Sequence, residues 1–155
     1  MPSPSPDPPG AVPVQRGHEH ALPHWPAGTV LILVTSGREP HAIPVSAAVR
    51  AGPRRVLLGL ARRRESLARL RADPRVALSI IAGGDIAVTA YGSAIVAQEE
   101  LTEGVSAVEM SVESVQDHGQ PTFVIERGVA WRWTDPEALR RDGEVRRALL
   151  ALAES

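Results

Sequence analysis

Residues 55–76 read RVLLGLARRRESLARLRADPRV, and the fold is read outward from them. Residues 55–60 form an apolar, strand-like run. Three consecutive arginines follow, Arg62, Arg63 and Arg64, and they open a short amphipathic helix predicted over residues 62–72. Leu67 and Leu70 give that helix one apolar side. Asp73-Pro74 ends it, because the residue before a proline is pushed out of the helical region. A second strand-like run occupies residues 76–81. The stretch thus predicts strand, helix, strand, with a guanidinium cluster at the first junction and Ser66 one turn later. A helix start offers free N–H groups and the positive end of the dipole, which suits a phosphate. Arginine forks bind phosphate through paired, charge-assisted bonds, and a serine hydroxyl adds direction. The bland alternative is a solvated basic turn with Glu65 as its counter-ion.

Upstream, residues 29–35 (TVLILVT) are continuously apolar and β-branched, as in a strand covered on both faces. Residues 36–40 (SGREP) are a turn. Residues 41–49 (HAIPVSAAV) predict a second strand, antiparallel to the first. Pro44 lies within it and cannot donate to a ladder, so that point is an edge, a bulge or a gap. Downstream, residues 85–96 predict a long strand with Gly92 at a bulge or bend. Val108, Met110 and Val112 alternate with Glu109, Ser111 and Glu113, a period-two strand with one acidic face. Residues 122–125 and 129–133 predict two paired strands around Arg127-Gly128. Asp135-Pro136-Glu137 starts a C-terminal helix as cap, first residue and dipole partner. Leu139, Val145, Leu149 and Leu152 form its apolar stripe, and Asp142-Gly143 predicts a kink. Six to eight short, hairpin-linked strands with two helices make a mainly β (α+β) chain. The expected architecture is a closed or partly open antiparallel barrel.

The 155 residues predict one folded domain over residues 22–155, preceded by a proline-rich, disordered tail at residues 1–21. With 43% hydrophobic but 3% aromatic residues, the core must be built from Val, Ile, Leu and Ala. A net charge of −1 argues against a nucleic-acid binder, which needs a cationic excess. The absence of cysteine excludes disulfides, thiolate metal sites and cysteine nucleophiles, and fits a cytoplasmic location. No apolar run approaches the ~20 residues that span a bilayer, and no secretory signal is visible. Every basic side chain is arginine; there is no lysine. Any anion is therefore held by forked, permanently charged groups.

Other chemistry is weakly supported. His18, Glu19, His20 and His24 match no helical zinc spacing, and no metal site is expected. Gly83-Gly84 lacks the dinucleotide-binding spacing, and no Walker-type loop occurs. Ser46, His41 and His118 are present, but no G-x-S-x-G elbow frames a nucleophile. Glu99, Glu100, Glu109 and Glu113 read as solubility charges. Trp131 and Trp133, two residues apart, share a face and serve either packing or stacking on a planar ligand.

Three segments together resemble the pyridoxamine 5′-phosphate oxidase-like superfamily, the flavin-binding split β-barrels. They are AGTVLILVTSGREPHAIPVSAAV, RRRESLARLRADPRVALSI and VEMSVESVQDHGQPTFVIERGVAWRW, within residues 23–133. The resemblance implies an antiparallel split β-barrel and a homodimer with cofactor sites between subunits. It implies FMN, with deazaflavin (coenzyme F-420) or heme as alternatives on the same scaffold. The phosphate would lie near Arg62, Arg63, Arg64 and Ser66. The ring would lie along Pro44, Val45, Ser46, Leu58, Gly59 and Leu60, closed by Trp131 or Trp133 of the partner. The implied activity is hydride transfer at flavin N5 to or from a small molecule; the alternatives are a deazaflavin-dependent reductase and a non-catalytic dimer that binds flavin or heme. The C-terminal RRDGEVRRALLALAES does not match the substrate-binding segment of true pyridoxamine phosphate oxidases, so vitamin B6 oxidation is not implied.

Overall fold

A computed structural model describes residues 21–155; the expected tail and the His18–Glu19–His20 cluster lie outside the described residues. Among the described residues there are seven strands and two helices. These are β1 (Leu31–Thr35), β2 (His41–Val45), β3 (Ala48–Gly52), β4 (Arg55–Ala61), α1 (Glu65–Ala72), β5 (Arg75–Ala82), β6 (Ile86–Thr102), β7 (Val105–Asp117) and α2 (Pro136–Ala153). The strands form one antiparallel sheet in the order β2-β1-β5-β6-β7-β4-β3.

That order explains the barrel. Consecutive strands β2 and β3 lie at opposite edges of the sheet, with only Ser46 and Ala47 between them. So short a link forces the sheet to curl until its edges approach. The Gly59 N–H donates to the Ala47 carbonyl across the gap (2.9 Å), but β2 and β4 share no ladder. The barrel is therefore split, as the resemblance of the three segments implied. The single strand expected over residues 41–49 is two strands. Pro44 lies on the edge strand β2, where a missing donor is tolerated.

Alternation sets what is inside. Val56, Leu58 and Leu60 of β4 point into the core, with Leu31, Leu33, Leu78, Ile80, Val108 and Met110 from the other strands. Leu67 and Leu70 of α1 plug the same core. Leu57, on the other face of β4, joins Ala107, Val145 and Leu149 in a second cluster beneath α2. Both clusters are almost entirely aliphatic, as the composition requires.

Four expectations are corrected. The first helix starts at Glu65, three residues late, so the arginines lie in the turn before it. Strand β6 runs on to Thr102, and Glu99 and Glu100 lie on its exposed far end. α2 is unbroken through Asp142-Gly143, although its apolar stripe docks only beyond that point, through Val145 and Leu149, and Leu139 is exposed. Residues 118–133 form no paired strands. The segment is pinned instead by Asp85, which donates its N–H to the Ile125 carbonyl and accepts from the Ile125 N–H through Oδ1, each at 3.0 Å.

Candidate cofactor-binding cleft

A cleft of about 860 Å³ opens beside the split. Its walls are the β2–β3 link, the C-terminal end of β4 with the arginine turn, the β6–β7 turn and the first half of α2. Pro44, Val45, Ser46, Gly59, Leu60, Arg62, Arg63, Arg64 and Trp133 all line it. The chain thus brings together residues from three segments far apart in sequence. Leu58, Ser66 and Trp131 do not line it. Leu58 points into the core because it alternates with Gly59 on β4, and it has no exposed surface. Ser66 is also fully buried, and its hydroxyl has no hydrogen-bond partner among the described residues. Trp131 meets Trp133 edge to face (centroids 5.2 Å apart, planes at 79°) and donates its ring N–H to the Gly28 carbonyl at 2.8 Å. Trp133 thereby reaches the cleft of its own chain.

The electrostatics follow from which cations are already matched. Glu65, the expected counter-ion of the turn, faces away toward His41 (3.6 Å) and Arg69 (3.5 Å). Arg62 pairs with Glu100 at 3.5 Å. The side chains of Arg63 and Arg64 make no hydrogen bond or ion pair among the described residues. Arg64 is also the N-cap of α1 and supplies no side-chain acceptor to it, while Glu65 places a carboxylate in the first turn.

Sequence reasoning missed the α2 wall. Arg140 is held between Glu137 and Glu144 on that helix. The Arg140 guanidinium keeps the Glu137 carboxyl below the usual carboxylate range, so Glu137 is a permanent anion at neutral pH and no proton donor. Arg146 bonds Asp142 (2.9 Å) and the Ser46 carbonyl (2.8 Å), tying α2 to the β2–β3 link. Gly59 is what lets α2 approach: a Cβ there would lie 2.7 Å from Val145 Cγ1. The amphipathic stripe of α2 was legible in the sequence, but its docking partner was not. Glu109, read as a solubility charge, bonds Arg55 instead, and Arg55 also donates to the Ala153 carbonyl at the end of α2 (3.2 Å).

The result is an open split barrel whose cleft combines apolar walls with unmatched guanidinium groups. No protein-family profile matches the chain, and no curated protein does. Solved structures do. HupZ of Group A Streptococcus superposes over 66% of this chain and 90% of its own, with a TM-score of 0.52 at 9% identity. An F420 reductase covers 57% of this chain and 90% of its own, with a TM-score of 0.50 at 11% identity. A Listeria innocua candidate pyridoxamine 5′-phosphate oxidase covers 57% and 87%, with a TM-score of 0.49 at 14% identity. The likeness to the first two, at identities this low, shows a shared fold and nothing finer.

Proposed function

We propose that this chain is a cytoplasmic, homodimeric, FMN-dependent oxidoreductase acting on a small molecule. The observation that carries the reading is the pair of unmatched guanidinium groups, Arg63 and Arg64, on the same cleft as Pro44, Val45 and Ser46. An unpaired cation beside a cleft is poised for an anion, because no existing bond has to be broken. The volume lies within the ~300–1,000 Å³ range of ligand pockets. The groups fit FMN by type. Arg63 and Arg64 would hold the phosphate. Ile43, Pro44, Val45, Leu60 and Trp133 would flank the ring. Bound FMN supplies hydride chemistry at N5; the protein orients it and excludes competing reactions. Among the described residues the cleft lining holds no His, Cys, Met or Tyr to ligate a heme iron, and the reading rests on a flavin for that reason.

The test is a comparison of two ligands that differ only in the phosphate. Arg64→Ala should weaken FMN binding by about 1.5–3 kcal/mol and leave riboflavin unchanged, as read by quenching of flavin fluorescence. Equal weakening of both, or no binding of either by the wild type, would overturn the phosphate role.

A further inference from the structure

From the end of β7 to the start of α2 the chain runs over residues 118–133 without joining the sheet. Every residue of 121–133 is exposed except Ile125, which is half-buried. Side-chain burial therefore does little to hold this strap, and its attachment rests on a few polar bonds. At one end the His118 N–H donates to the Ala87 carbonyl at 2.7 Å, and the His118 ring lies 2.8 Å from the Thr89 hydroxyl. At the other end Asp135 caps α2. Between these fixed ends the strap is gripped at Ile125 by both the N–H and the carboxylate of Asp85, in the β5–β6 turn. Asp85 has a φ of 60° and is the one non-glycine residue with positive φ among the described residues. That region is disfavoured for a residue with a Cβ, although Asp tolerates it better than most. Two glycines let the backbones meet beside the grip. A Cβ at Gly83 would lie 2.7 Å from the Glu126 carbonyl oxygen, and one at Gly128 would lie 2.9 Å from that of Ile81. Just beyond Gly128, Trp131 packs edge to face on Trp133, and Trp133 lines the cleft.

We propose that residues 118–133 are a detachable strap latched by Asp85, and that Asp85 is a positioning residue for Trp133 in the cleft wall. Once Ile125 is released, the Trp131 bond to the Gly28 carbonyl is the tie that remains ahead of Trp133. A single exposed bond of that kind is weak, so the strap and the tryptophan pair open together. α2 stays docked through Val145 and Leu149. Opening therefore moves Trp133 and leaves the rest of the cleft in place. Segments that open and close beside a ligand site are drawn from such weakly held pieces of a fold. The device is independent of which ligand the cleft takes.

The experiment uses the full chain without added ligand, at one protein concentration, as wild type, Asp85→Ala, Asp85→Gly and Asp85→Asn. Amide hydrogen exchange reads the strap. Circular dichroism reads the exciton couplet of two tryptophan rings in fixed contact, and Trp131→Phe, which should abolish it, assigns the signal. Asp85→Ala should speed exchange over residues 122–130 about tenfold, the effect of losing one charge-assisted bond. It should also diminish the couplet, while the β6–β7 hairpin exchanges as before. Asp85→Gly relaxes the backbone but lacks the carboxylate, and should behave as Asp85→Ala does. Asp85→Asn keeps an oxygen acceptor and tolerates positive φ, so it should retain most of the wild-type behaviour. If Asp85→Gly matches the wild type, the turn conformation alone matters and there is no latch. If exchange rises while the couplet persists, the strap opens without moving Trp133 and the positioning role is wrong. A wild type without the couplet, or a hairpin that accelerates together with the strap, overturns the device as well. FMN titration is a separate arm: a wild type that does not bind FMN removes the cofactor reading and leaves the strap standing.

Discussion

At Gly92 the long hairpin of β6 and β7 slips register, and the two backbones come together there. A Cβ on residue 92 would collide with the Ser111 carbonyl on β7. Backbone cannot step aside as a flexible side chain can, so Gly92→Ala should cost about 1–3 kcal/mol, measured by chemical denaturation. A second residue-level effect belongs to Asp73, between α1 and β5. Its Oδ1 accepts from the Arg75 N–H at 3.1 Å, and its other oxygen faces the Arg75 guanidinium at 3.4 Å. The bond from that backbone N–H, above all, holds the carboxyl below its ordinary value. A folded-state pKa below the unfolded one gives stability that is complete above the ordinary carboxylate range. It is lost as pH falls through the lowered folded value. The melting temperature of the wild type should therefore exceed that of Asp73→Asn at neutral pH, and the gap should close in acid. High salt should shrink the gap, because the pair is exposed. A gap independent of pH would mean that the charge is irrelevant and only the turn bond counts.

At the scale of elements, α2 is the piece whose attachment matters most to the cleft. Leu149 is fully buried beneath it, against Leu57 and Ala107. Leu149→Ala should leave a cavity and cost about 2–5 kcal/mol. The loss should be local in kind: amide exchange of α2 should rise first, ahead of the β6–β7 hairpin. Uniform acceleration throughout the sheet would show instead that α2 and the barrel unfold as one unit. The N-terminal end of α2 is better secured, since Asp135 Oδ1 accepts from the Glu137 N–H at 3.0 Å and Pro136 needs no partner there.

At the scale of the molecule, exposed apolar side chains cluster in sequence. Phe123, Val124, Val129, Trp131 and Trp133 are all exposed on the segment that joins no sheet, Val124 and Val129 by about two-thirds (68% and 67%). Ile81, whose carbonyl lies close to Gly128, extends the patch by another exposed residue (54%). So much apolar surface on one strap marks an interaction surface, and it is where the proposed second subunit would sit. Sedimentation should give a dimer. The double variant Val124→Asp, Val129→Asp should sediment as a monomer with an unchanged β spectrum. A monomeric wild type would remove the dimer from the proposal.

What the residues determined by themselves was local. The period-two alternation of β7, the register slip at Gly92, the cap of α2 and the arginine run after β4 were all legible, because each depends on neighbours within a few positions. The split-barrel class followed from their order and from the resemblance of three segments. Only the tertiary structure decided the rest. Residues 41–49 read as one strand because nothing local shows that Val45 and Ala48 belong to opposite edges of a curled sheet. Residues 122–133 carry β-favouring side chains, yet they join no ladder and are held at Ile125 by Asp85 in the β5–β6 turn. Ser66 lies two positions after Arg64 in the chain, but the turn of α1 rotates it into the core and away from the cleft. Period and propensity specify which face a residue occupies, whereas which surfaces meet is set by chain closure over long distances.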